Sequence, residues 1–176
     1  AAFRIMKDLL DPVFLGEAMA DTPQPPTNDK QAWALNILAN SYRFCVSACK
    51  GAALHEIVVR WDEQQNDDHI FAVRLVNLAV DQQLIGDLQT AEQNFLRSLE
   101  IARRTSGSNL VRCLRELGRL YTWLGRFSDA ETFLVEALKL ARELESRYLR
   151  GALINHSHLL LAQEEPSRAL EQAQEA

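Results

Sequence analysis

The sequence predicts an all-α protein, an array of antiparallel helix hairpins repeated as a solenoid. Three observations predict it. A spacing of 39 residues recurs along the chain, apolar residues fall at offsets of three and four within each period, and helix breakers are scarce, with 7 Gly and 5 Pro in 176 residues. Leu75, Leu114 and Leu153 keep the step, and so do Ala91, Ala130 and Ala169. The pairs Leu78/Leu117, Gly86/Gly125, Glu92/Glu131, Leu99/Leu138, Ala102/Ala141 and Arg103/Arg142 share it. Self-similarity at a fixed period marks repeat architectures, in which each unit buries its apolar face against its neighbours. With 47% hydrophobic residues the chain can supply a continuous core.

The elements follow in order. Residues 1–20 read as an N-terminal helical segment, with short helices over Phe3–Leu10 and Pro12–Met19. Asp11-Pro12 gives the second a start, since proline suits the first helical turn. Residues 21–29, with Pro23, Pro25 and Pro26, form a linker that cannot be helical. The repeat domain spans 30–176, in approximate units 30–66, 68–107, 109–146 and 147–176. The first is degenerate. Leu35, Leu38, Ala39 and Tyr42 make its first helix, Lys50-Gly51 its turn, and Ala53, Ile57 and Val58 its return. Asp67-Asp68 starts the next helix, which carries Leu78-Ala79 and ends at Gly86 before Ala91, Phe95 and Ser98.

The clearest unit is Asn109–Ser146. Leu114, Leu117, Gly118, Leu120, Tyr121 and Leu124 share one broad helix face. Gly118 costs helix propensity, which is useful where a second helix crosses closely. Gly125 ends the helix as a left-handed cap. Ser128 reads as an N-cap, with Glu131 completing a capping box. Small Ala130 and Ala137 then let the helices approach, and Leu134 and Leu138 fill the hollow between them. The last unit keeps Leu153, Leu160 and Ala169, with Glu164-Glu165-Pro166 as its turn.

Leu117-Gly118, Tyr121, Gly125, Ala130, Leu134 and Ala137 fall at the intervals of the tetratricopeptide repeat, which this unit resembles; Arg142 replaces the family's final proline. The step exceeds the family's usual length of about 34. The added residues amount to more than one helical turn. Such long variants resemble those of kinesin light chains, bacterial peptide-sensing regulators and MalT-like activators. The resemblance implies a right-handed superhelix whose first helices line a concave groove. It also implies a scaffold or adaptor that binds a peptide or protein segment there.

The groove positions so implied are Asn36 and Asn40, Val73, Asn77 and Val80, Arg112, Arg115, Arg119 and Trp123, and His158. Three arginines at i, i+3 and i+7 share a helix face and favour carboxylate or phosphate. The competing reading is a solvated face paired with Glu116. Val73, Val76 and Val80 either form an apolar groove patch or complete a buried contact. Some tetratricopeptide domains clamp a C-terminal carboxylate with five basic and amide groups. Asn40, Asn77 and Arg112 match three of those places, but Asn36 and Glu116 remove cationic charge from the other two.

The remaining chemistry is sparse. A formal net charge of −5 argues against nucleic acid as a partner of this segment. Arg4, Lys7, Asp8, Asp11 and Glu17 interrupt the only apolar N-terminal stretch, so no membrane span is expected. Three cysteines without framework spacing suit a reducing, cytoplasmic setting. Cys45 and Cys49, one turn apart on a helix, read as core residues, as does Cys113. His156 and His158 point in different directions, and His55 and His69 have no visible partner. No phosphate loop, nucleophile elbow or HExxH motif occurs, so neither an enzyme nor a cofactor or metal is expected. Ala1-Ala2 without Met, and the helix-like run 168–176, read as a segment of a longer protein. Two alternatives stay open. One is a sensor or regulatory domain of a multidomain protein, such as a MalT-like transcription regulator or a STAND-type ATPase. The other is homo-oligomerisation through a repeat end.

Overall fold

The computed structural model describes residues 2–15, 25–105 and 107–176. Among these the protein is all-α, with nine helices and no strand. It divides into two compact units, Ala1–Asn94 and Phe95–Ala176. The division falls within one helix, α5 (Leu88–Thr105).

The first unit begins with α1 (Ala2–Leu15), which packs on α2 (Asp29–Cys45). One helix thus runs through Pro12, where the sequence suggested a break between two. Proline has no amide to donate, so the helix runs through it with one intrahelical hydrogen bond fewer. Gly16–Met19, and the linker residues 21–24 with Pro23, lie outside the described residues. The helix α2 starts where the Asn28 side chain accepts a hydrogen bond from the Gln31 amide at 3.1 Å. The Gln31 side-chain carbonyl in turn accepts from the Thr27 amide at 2.8 Å. Donors without intrahelical partners are thereby satisfied at the helix start.

Helix α3 (Ala48–Asp62) begins earlier than the glycine suggested. Ser47 is its N-cap, accepting from the Lys50 amide at 3.4 Å. The turn is therefore Val46–Ser47, and Gly51 lies inside the helix. A Cβ on Gly51 would sit 3.1 Å from the Ala39 carbonyl and 3.2 Å from an Asp81 carboxylate oxygen. The glycine serves a close helix crossing, not a turn. Leu35, Leu38, Ala39 and Tyr42 of α2 form one buried cluster with Leu54 and Val58 of α3. Helix α4 (Asp68–Leu84) starts as expected, with Asp67 accepting from the Ile70 amide at 2.9 Å. It lies against both α2 and α3.

The second unit holds the end of α5, then α6 (Ser108–Trp123), α7 (Phe127–Glu143), α8 (Leu149–Ala162) and α9 (Pro166–Glu175). In the α6–α7 hairpin, Leu114, Leu117, Leu120, Ala130, Leu134, Ala137 and Ala141 are fully buried. A Cβ on Gly118 would fall inside the van der Waals envelope of Leu134, so the crossing is as close as the sequence implied. Helix α7 starts at Phe127, with the Ala130 amide bonded to the Arg126 carbonyl at 3.0 Å. Ser128 is consequently inside the first turn and not the cap. Gly125, at φ 71°, turns the chain back within one residue, which brings the helix start forward. Helix α8 lies against both α6 and α7, as α4 does against α2 and α3.

Candidate interaction surfaces

In the second unit the arginine face of α6 is built around one carboxylate. Glu116 is buried, and both Arg115 and Arg119 pair with it, the Arg119 contact at 2.9 Å. Burial alone would raise its carboxyl. The guanidiniums of Arg115, Arg119 and Arg112 outweigh that and hold it below the ordinary range. Each paired arginine also lies over an aromatic ring. Arg115 stands 5.4 Å from the Tyr148 ring centroid, and Arg119 stands 5.4 Å from that of Trp123. Gly151 leaves room for Arg115, whose guanidinium occupies the space a Cβ would take. The Asn155 amide donates to the Arg115 carbonyl at 3.2 Å.

The outcome is a pre-set basic and aromatic surface. Arg119 keeps about a quarter of its side chain exposed (26%), and Trp123 is 55% exposed. Arg112 is half-buried on the same helix, and His158 is exposed on α8. Pairing with Glu116 and presentation to solvent therefore coexist. The carboxylate fixes the guanidiniums, and the rings hold their planes.

The first unit uses its predicted groove amides differently. Asn36 and Asn77 are buried, and the Asn77 amide donates to the Asn36 side-chain carbonyl at 2.8 Å. The Asn40 side chain donates to the Asn36 backbone carbonyl at 3.0 Å and accepts from Arg43 at 3.1 Å. Val76 is fully buried, whereas Val73 and Val80 are half-buried. The valine row is thus partly core and partly surface.

Sequence reasoning missed the strongest polar cluster of this unit. Arg43 of α2 pairs with Asp81 of α4, and His55 of α3 bonds the other oxygen of the same carboxylate. Arg43 also donates to the Asn77 backbone carbonyl. His55 and Asp81 are fully buried. Because a carboxylate only accepts, Nδ1 of His55 carries the shared proton. Burial lowers the His55 pKa, against the opposing pull of Asp81. A second buried pair, Arg74 with Asp62 at 3.1 Å, ties α4 to α3.

The cysteines also differ from expectation. Cys45 ends α2 and Cys49 lies in the first turn of α3, so they flank a turn and do not share a helix. Cys49 is exposed, while Cys113 is a core residue whose thiol burial pushes up to about 12. His156 is buried between Gln172 and Glu131, whereas His158 faces solvent, so the two rings do diverge. No group of three or more His, Cys, Asp or Glu able to hold a metal occurs among the described residues. No described helix is long and apolar enough to cross a membrane.

Hairpins whose first helices lie on the preceding pair, with glycine turns at a fixed step, define a helical-repeat protein. The family model for the tetratricopeptide repeat matches residues 69–143. That segment thus carries the tetratricopeptide pattern. Solved structures share the fold over nearly the whole chain. One is a Podosopora anserina protein described by its kinesin light chain character and nearly identical TPR-like repeats. At 18% identity it covers 98% of this chain and 85% of that one, with a TM-score of 0.73. A point variant of the same Podosopora anserina protein gives 16% identity, 98% and 84% coverage, and a TM-score of 0.75. BtubC (BKLC) from P. vanneervenii gives 18% identity, 99% and 72% coverage, and a TM-score of 0.75. At such identities the likeness is one of fold. No curated protein matches the sequence.

Proposed function

We propose that this chain is a protein-interaction module that holds a peptide or protein segment against the first helices of its hairpins. We assign the acidic part of that segment to the α6 face. The observation that carries the reading is the Arg115–Glu116–Arg119 cluster with its two aromatic rings. An isolated surface arginine loses side-chain entropy when it binds; here the guanidiniums are already fixed, so less is lost on binding. Arg119 and the half-buried Arg112 can take a carboxylate, while the exposed indole of Trp123 packs against an apolar neighbour in the ligand. In the first unit, Val73, Val80 and Asn40 supply partly exposed apolar and amide surface. Asn36 and Asn77 support that surface from beneath, because their amides bond each other.

The test is calorimetric titration with an acidic peptide carrying one aromatic residue, beside its amidated, charge-neutral counterpart. Arg119→Gln and Trp123→Ala are the variants, and circular dichroism checks that they stay folded. Each is expected to weaken binding by roughly tenfold, the worth of one charge-assisted or stacked contact of about 1.5 kcal/mol. Equal affinity for both peptides, or for parent and variants, overturns the reading.

A further inference from the structure

A cavity of about 510 Å³ opens in the first unit, lined by residues of α2, α3 and α4. None of these is the first or last helix of the chain, so the cavity lies between neighbouring hairpins and not at a repeat end. Ala32, Trp33 and Ala34 of α2 and Ile70 of α4 give it apolar walls. Two of them are open to water, Trp33 being 57% exposed and Ile70 41%. Asp29 and Lys30, both exposed, stand at its mouth. Its inner end is charged: there Asp62 of α3 and Arg74 of α4, both buried, form their ion pair.

That pair is incomplete. The Asp62 side chain is only 8% exposed, and Arg74 reaches its Oδ2 alone, through Nε at 3.1 Å. Its Oδ1 has no hydrogen-bond partner among the described residues and is reached from the cavity that Asp62 lines. A buried carboxylate is well held only when its remaining lone pairs also find donors. Negative charge is also in excess here. Burial raises the Asp62 carboxyl, Arg74 opposes that, and Asp29 and Asp67 add to the rise through space. The carboxylates that line the cavity or act on Asp62 are thus Asp29, Asp62 and Asp67. Against them stand Arg74, already committed to Asp62, and Lys30 at the mouth. One further positive charge would balance them.

We infer that this cavity receives a lysine side chain of a protein partner, with its ammonium on Oδ1 of Asp62 and its stem along Trp33 and Ile70. The guest must be apolar along its length and cationic at its tip, and lysine is built that way. The indole of Trp33 adds its own attraction for a cation. Arginine fits less well. Its planar fork binds best to both oxygens of a carboxylate, and Arg74 already holds one of them. A single open oxygen suits the point charge of an ammonium. The site takes the opposite charge to the α6 face and stands without the reading given to that face.

Heteronuclear NMR titration to millimolar peptide tests this, with the Trp33 indole signal as the readout. The probes are capped alanine peptides that carry one lysine, one norleucine or one arginine. The lysine peptide is expected to shift the Trp33 signal saturably and to leave that of Trp123 in place. Norleucine, which keeps the stem and lacks the charge, is expected to bind at least about tenfold more weakly. The arginine peptide is expected to bind more weakly than the lysine peptide. Trp33→Ala, at an exposed position and followed through the Ile70 amide, is expected to weaken lysine binding about fivefold. Arg119→Gln leaves it unchanged, so this inference and the α6 reading fail separately. Asp62→Asn would strand Arg74, so the norleucine peptide tests the charge without altering the protein. No saturable shift at Trp33, equal or tighter binding of the norleucine or arginine peptide, or indifference to Trp33→Ala overturns the inference.

Discussion

At Gly118 two effects of replacement by alanine oppose each other. Helix propensity would gain about 1 kcal/mol. Driving a Cβ into Leu134 costs about 1–3 kcal/mol, because a close-packed interior relaxes only in part. Leu134 is fully buried and has little room to yield. Gly118→Ala is therefore expected to lower stability in urea denaturation by about 1 kcal/mol. Unchanged or raised stability would mean that Leu134 moves aside freely. His55 sets a second test. Its pKa is lowered from 6.5 by burial, partly offset by Asp81, with Arg43 of α2 and Arg74 of α4 adding unfavourable charge. The unfolded chain thus takes up a proton that the folded chain refuses. The contribution of His55 is complete above about 6.5 and is lost as the pH falls below it. Asp62, whose carboxyl burial raises above 3.8 against the pull of Arg74, gives the opposite slope at lower pH. The melting temperature of the parent is expected to fall between pH 7 and pH 5.5, and that of His55→Gln to fall less. Parallel profiles would contradict this role.

At the scale of the element, the repeat is a repeat of turns as much as of helices. Gly86, Gly125 and Glu164 stand one step apart and all have positive φ, at 86°, 71° and 63°. After each, the same backbone bond recurs: Asp87 to Gln82 at 2.9 Å, Arg126 to Tyr121 at 2.9 Å, and Glu165 to Leu160 at 2.8 Å. The third turn makes this geometry without glycine. Left-handed backbone costs an L-residue about 1–2 kcal/mol, and glycine returns part of that as unfolded-state entropy. Glu164→Gly is expected to stabilise the chain by about 0.5 kcal/mol. Gly125→Ala is expected to destabilise it by about 1 kcal/mol. Thermal unfolding measures both, and opposite signs would show that the turn is not held left-handed in solution.

The same elements explain what the sequence made legible. Gly86 and Gly125 announced their turns because helical patterning stops there and resumes beyond them. Gly51 looked the same but serves a helix crossing, and glycine alone does not separate those uses. Ser128 carried capping chemistry, yet the turn at Gly125 starts α7 before it. The Arg43–Asp81–His55 cluster was invisible because its members follow no repeat step and histidine has no fixed partner type. Cys45 and Cys49 have helical spacing, and only the Ser47 cap shows that a turn lies between them.

At the scale of the molecule, helix hairpins supply the scaffold, and a fold of this kind leaves function to the residues that face outward. Each compact unit uses its buried charge differently. The first locks three helices around Asp81, and the second fixes arginines around Glu116 while leaving part of them in water. The second arrangement is the ground for proposing the α6 face as the binding surface. Fluorescence titration tests it most directly, with Trp33→Phe and Trp61→Phe leaving Trp123 as the sole indole. Addition of the acidic aromatic peptide is expected to change Trp123 emission saturably, with affinity falling as salt rises. A lysine-substituted peptide is expected to give no change. A response equal for both peptides and independent of salt, or none to either, would contradict the account.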